Sequence, residues 1–101
     1  MKRTVYTQEE IKENLRPIFA DYGVRRAVLF GSYGKGTATE KSDVDIMVDS
    51  SLRGLDFAGL IEDIREGLGD KEVDVIDVSQ IIPDSLIDRE IRRTGVELYA
   101  R

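Results

Sequence analysis

The chain has 101 residues, 41% of them hydrophobic and 35% charged, with 20 acidic against 15 basic side chains and a net charge of −5. This length and composition predict one folded domain over residues 1–101, and the negative balance argues against non-specific binding to nucleic acid or acidic membranes. With no Cys and no His, there is no disulfide, thiol nucleophile, imidazole base or His/Cys zinc site, so any metal must sit on oxygen ligands, which favours Mg²⁺, Mn²⁺ or Ca²⁺.

In chain order, Thr7 to Tyr22 reads as a helix. Thr7 and Glu10 form a capping box, Ile11, Leu15, Ile18 and Phe19 recur at helical spacing, and Gly23 is the stop. Pro17 should kink this helix near Asn14. Val24 to Phe30 reads as a strand around the apolar run Ala27-Val28-Leu29-Phe30. The segment Gly31 to Thr37 is too glycine-rich for a strand interior. Val44 to Val48 is a second strand. Asp56 could cap a helix with Phe57, Leu60, Ile61, Ile64 and Leu68 on one face and Gly69 at its end. Glu72 to Val78 is a third strand. Pro83 to Thr94 reads as a helix with Leu86, Ile87 and Ile91 inward, ended by Gly95. Val96 to Tyr99 adds a last strand or packs down. The fold class is therefore α+β (α/β), a small mixed sheet of about four strands flanked by helices. No apolar run approaches the ~18 residues of a membrane span. Met1 to Tyr6 lacks the apolar stretch of a signal peptide, so a cytoplasmic location is expected.

The informative segment is Gly31 to Asp45. Asp43 and Asp45 are two apart, which on a strand puts both on one face, ~6.5–7 Å apart along the chain. They either converge on a divalent ion or are a solvated turn and strand start. Val44 between them points to the core. The glycine segment either presents backbone amides, the Ser32 hydroxyl and the Lys35 ammonium to phosphates, or is a plain turn between strands. It matches neither a Walker loop, since Gly36 follows Lys35, nor a dinucleotide fingerprint, since Thr39 replaces the third glycine. Asp74 interrupts the apolar run Val73-Asp74-Val75-Ile76. An acid buried there unpaired would cost several kcal/mol, so it sits on a wet edge or is a third carboxylate beside Asp43 and Asp45. Asp77 faces away from Asp74 and reads as surface or as a local cap near Ser79.

Leu29-Phe30-Gly31-Ser32-Tyr33-Gly34-Lys35-Gly36, then Ser42-Asp43-Val44-Asp45-Ile46, then Val73-Asp74-Val75-Ile76-Asp77, resembles the minimal nucleotidyltransferases (MNT, MntA-like antitoxins) of the DNA polymerase β-like superfamily. The resemblance covers most of the chain. It implies that Gly31, Ser32 and Lys35 hold the triphosphate of ATP. It further implies that Asp43, Asp45 and Asp74 bind two Mg²⁺ (or Mn²⁺) ions, with Asp74 helping to activate the attacking hydroxyl. Members commonly carry Ala-Arg where this chain has Gly34-Lys35, and lysine meets a phosphate as a point charge without the bidentate fork.

The resemblance also implies a partner. Small members form the antitoxin half of a pair with an all-helical HEPN toxin, and transfer adenylate from ATP to a tyrosine of that toxin. The net charge of −5 suits a basic partner. Two alternatives remain: a non-catalytic module that neutralises its partner by covering it, and a transferase acting on a small molecule or tRNA. Tyr6, Tyr33 and Tyr99 read as packing or surface residues rather than base-stacking platforms, and Glu40 and Lys41 as solvated.

Overall fold

The capping box forms as its residue types dictate. In the computed structural model, which describes residues 5–101, the Thr7 amide donates to Glu10 Oε1 at 2.8 Å and the Glu10 amide to Thr7 Oγ1 at 3.0 Å. The reading of Met1 to Thr4 lies outside the described residues. Helix α1 (Gln8–Asp21) follows and continues through Pro17. Pro17 and Glu13 are both exposed, so water can reach the Glu13 carbonyl that the proline leaves unpaired. Gly23, at φ +68°, turns the chain out of the helix.

Strands β1 (Arg26–Phe30), β2 (Val44–Asp49), β3 (Val73–Asp77) and β4 (Val96–Ala100) form one sheet in the order β3-β2-β1-β4. β1 pairs antiparallel with β2 and β4, and β2 pairs parallel with β3. The parallel pair is joined through α3 (Gly54–Gly67), as a crossover requires. The period of two then sorts the side chains. Ala27, Leu29, Val44, Ile46, Val48 and Leu98 pack with Ile11, Leu15 and Phe19 of α1 and Leu60 and Ile64 of α3. Val28, Phe30 and Met47 point the other way and meet Ile91. Asp45 and Asp74 alternate onto that second, thinly covered face. No helix among the described residues is long and apolar enough to cross a membrane.

Four expectations are corrected. β1 starts at Arg26 rather than Val24. α3 starts at Gly54 with Arg53 as its cap, and Asp56 lies inside the first turn, where its charge complements the helix dipole; Phe57 and Ile61 are half-buried. α4 (Leu86–Thr94) is capped by Ser85 rather than begun at Pro83, because Asp84 takes φ +63° and breaks the helical path. Its packing goes to β1 and to the glycine segment. Ile91 is therefore inward, whereas Leu86 is 84% exposed and Ile87 also meets solvent. Finally, Asp77 is not a surface residue but is 6% exposed.

Asp77 does serve as a cap, and more. Its carboxylate accepts from the Ser79 amide and hydroxyl at 2.9 and 2.6 Å, and from the Ser50 amide and hydroxyl at 3.1 and 2.7 Å. It thus ties the end of β2 to the single 3-10 turn Val78–Gln80. Burial pulls its pKa upward, but these donors from Ser79 and Ser50 prevail and hold it below the usual carboxylate value. A depressed folded-state pKa contributes stability above the unfolded value, near ~3.9, and loses it as pH falls through the folded value. Asp77→Asn should cost ~1–3 kcal/mol at pH 7. Urea denaturation at pH 7 and in the acid range should show the gap to wild type narrowing as pH falls.

Candidate active site

Strand register builds the site. Phe30, the last residue of β1, lies opposite Asp45 on β2, and Asp45 lies opposite Asp74 on β3. The residue after Phe30 therefore arrives directly beside Asp45. That residue is Gly31, at φ +69°, and a Cβ added there would fall 2.4 Å from Asp45 Oδ2. Only glycine satisfies both the backbone conformation and the close approach.

The glycine segment is not the plain turn left open above but a short helix, α2 (Gly31–Lys35), beginning at Gly31. Five residues cannot hold a helix unaided, and two distant side chains brace it. The Gly31 amide donates to Thr94 Oγ1 at 2.9 Å. The Gln8 amide group donates to the carbonyls of Tyr33 and Gly34 at 3.0 and 3.2 Å. Ser32 is half-exposed on this helix and Lys35, its last residue, is exposed. Tyr33 is buried in the core, Tyr99 stacks at a tilt on Phe19 with ring centroids 5.6 Å apart, and Tyr6 packs against the same cluster, as expected of packing residues.

Asp45 and Asp74 line a cleft of about 660 Å³ whose walls include Phe30, Ile76, Leu86, Ile87 and Glu90. The cleft lies beneath the overhanging first turn of α4. Asp43 is not in it. It is exposed one residue before β2 and borders a second hollow of about 470 Å³ with Lys41, Asp70, Lys71 and Glu72. Among the described residues no three acidic side chains stand close enough together to form a metal cage. The structure thus joins Asp45, Asp74 and Gly31, and leaves Asp43 and Lys35 at the margin.

Electrostatics mark Asp45. Burial, then the charges of Asp74, Asp43 and Glu90, raise its pKa from 3.8 to about 6. Among the described residues no basic side chain lines this cleft. A half-buried carboxylate among carboxylates, with no cation supplied by the protein, suits a hard divalent ion on oxygen ligands. Asp45 and Asp74, brought together by register, are the two carboxylates in the cleft that such an ion would meet first.

Three residues here escaped the sequence reading. Glu90 is a fourth acid facing Asp45, while Thr94 and Gln8 brace α2. Glu90 and Thr94 could have been noticed only by asking which side of α4 reaches the glycine segment, and no local spacing answers that. Gln8 gave no signal at all.

The comparisons with known proteins agree with this architecture. The family model described as "Polymerase beta, Nucleotidyltransferase" matches residues 13–101. The chain is a nucleotidyltransferase. It belongs to the polymerase β nucleotidyltransferase family. It is 44% identical over 78 residues to a protein of Methanocaldococcus jannaschii named as a candidate protein adenylyltransferase, covering 73% of this chain and 81% of that one. Its fold resembles a chain in a crystal structure of a toxin–antitoxin complex with AMP-PNP, with a TM-score of 0.74 at 23% identity over 89% of this chain and 73% of that one. It also resembles a chain in the complex of the tri-AMPylated Shewanella oneidensis HEPN toxin with its MNT antitoxin, with a TM-score of 0.69 at 20% identity over 93% of this chain and 73% of that one.

Two predictions follow from the packing and the charge. A Cβ on Gly34 would lie 2.3 Å from the Thr94 carbonyl oxygen and 3.0 Å from that of Leu29, both fixed backbone atoms. Gly34→Ala should therefore cost ~1–3 kcal/mol in urea denaturation. Asp45 carries the opposite sign. With its folded-state pKa raised to about 6, the native state loses stability as pH rises from the unfolded value towards that point. Asp45→Asn should be at least as stable as wild type above pH ~6 without divalent metal, with the advantage vanishing below pH ~4. Thermal melts across that range check it.

Proposed function

We propose that this chain transfers adenylate from ATP to a hydroxyl of a partner protein, and that it acts as the antitoxin of a HEPN-type toxin pair. The observation that carries the chemistry is the in-register pairing of Asp45 with Asp74 beside the first residue of the glycine helix. The reading of the acceptor as a protein draws support from the candidate protein adenylyltransferases among its relatives.

In this reading Gly31, Ser32 and Lys35 seat the triphosphate: Gly31 supplies the close backbone approach, its own amide being engaged by Thr94, while the Ser32 hydroxyl and the Lys35 ammonium meet the phosphates. Asp43, Asp45 and Asp74 would hold Mg²⁺ or Mn²⁺. The bound ions would neutralise the triphosphate and lower the pKa of the attacking hydroxyl. The acceptor oxygen attacks the α-phosphorus, a bond forms there, and the bond to the β-phosphate oxygen breaks to release pyrophosphate. With no His in the chain, Asp74 takes the acceptor's proton, since it lines the cleft and is open to solvent. The walls of Phe30 and Ile76 exclude water from one side of the reacting centre.

A second reading is neutralisation of the partner by binding alone. It is favoured by Ile82 at 70% and Leu86 at 84% exposure, apolar side chains with no folding role in this chain. One experiment separates the two. The protein is incubated with α-labelled ATP, Mg²⁺ and the product of the neighbouring gene, beside Asp43→Asn and Asp45→Asn. Transfer of label by wild type, at least ~100-fold weaker in either variant and abolished by chelator, is the expected result. Stable co-purification without label would replace the catalytic reading with the binding one. Undiminished transfer in either variant would refute the metal assignment.

A further inference from the structure

The residue before a helix normally caps it with an oxygen-bearing side chain. Helix α2 is preceded by Phe30, which makes no side-chain cap bond. Its first amide, on buried Gly31, is cut off from water. Thr94 supplies the missing acceptor from 63 residues away. Thr94 is itself 6% exposed, and its hydroxyl donates to the Glu90 carbonyl at 2.7 Å while accepting from Gly31 at 2.9 Å. A hydroxyl is the group that can do both at once. The same residue's carbonyl fills the space a side chain at Gly34 would need. Thr94 therefore meets α2 at two points, while Gly31 on the far side of its bond presses against Asp45.

We propose that Thr94 is a positioning residue of the nucleotide site: held by the Glu90 carbonyl, its hydroxyl fixes the Gly31 amide and so seats the glycine helix against Asp45. The proposal rests on the nucleotidyl-transfer reading for its consequence, but the bond itself can be tested apart from it. Losing the hydroxyl leaves the buried Gly31 amide unpaired, and α2 then samples arrangements in which Ser32 and its neighbouring amides no longer converge. The effect should fall on nucleotide affinity and on the mobility of one amide, rather than on the sheet.

The test compares wild type with Thr94→Val, which keeps the shape, and Thr94→Ser, which keeps the hydroxyl. Binding of AMP-PNP with Mg²⁺ is measured by calorimetry, exchange of the Gly31 amide by NMR, and Tm by thermal denaturation. Thr94→Val should weaken AMP-PNP binding roughly tenfold, the loss of about one buried hydrogen bond, and speed exchange at Gly31. Thr94→Ser should recover both. Unchanged affinity in Thr94→Val, or a fall in Tm alone, overturns the proposal, as does a Thr94→Ser variant as impaired as Thr94→Val. If wild type itself binds no AMP-PNP, the nucleotidyl-transfer reading fails. The exchange measurement then decides the latch: faster exchange restored by serine upholds the Thr94–Gly31 bond, and unchanged exchange removes it.

Discussion

The site depends on a carboxylate that the fold places against a backbone, with no basic side chain among the described residues lining its cleft. Asp45 sits near the start of β2 with Phe30 paired on one side and Asp74 on the other. Its oxygen lies where a side chain at position 31 would have to be. Burial and like charge raise its pKa to about 6, so near neutrality the native state carries an ionised group that destabilises it. A sheet folding only for stability would place an apolar residue there, as it does at Val44 and Ile46 on either side. The cost is local, because the opposite face of the sheet carries the main core. The division of labour between faces lets an unfavourable charge persist in a small protein: α1 and α3 stabilise, and the side under α4 is left open for chemistry.

The glycines express the same constraint from the loop side. α2 is pressed between Asp45 at its start and the end of α4 at Gly34. Each contact excludes a Cβ, and each comes from a different element. With five residues and no local cap, this helix has almost no intrinsic stability. Its conformation is borrowed from Gln8 on α1 and Thr94 on α4. Glycine at position 34 thus has a structural reason. The end of α4 approaches more closely than a methyl group allows, and that closeness is what lets the Thr94 hydroxyl reach Gly31.

Most elements could be read from local pattern, because their causes are local. The capping box at Thr7 and Glu10, the alternation through Val44 to Val48, and Gly23 as a stop are each decided within a few residues. The errors arose where distant packing decides. Ile87 has helical spacing with Ile91 and Leu86 does not, and α4 starts late and overhangs the cleft, so its apolar first turn faces solvent. Asp77 was half read: capping of Ser79 is local and visible, whereas its bonds to Ser50 require knowing that the ends of β2 and β3 are neighbours. The nearness of Asp74 to Asp45 was inferred from an acid lodged in an apolar strand, and parallel register bears out that placement. Asp43 stands just outside the strand and is exposed, and its charge still bears on Asp45.

That outward position of Asp43 bears on how the chain would work as an enzyme. Asp45 and Asp74 are fixed by strand pairing, so their geometry is set on folding. Asp43 belongs to the segment leading into β2 and is free of that ladder. On the proposed reading, Asp43 would join Asp45 and Asp74 in holding a divalent ion, whose charge would offset the repulsion that Asp74 and Asp43 exert on Asp45. The charge that destabilises the native state at Asp45 is the same charge that favours a cation. The exposed Leu86 on the cleft wall would have a matching role on the acceptor side. An apolar side chain at the mouth gains from burial only when another surface arrives, which on the proposed reading is the protein acceptor.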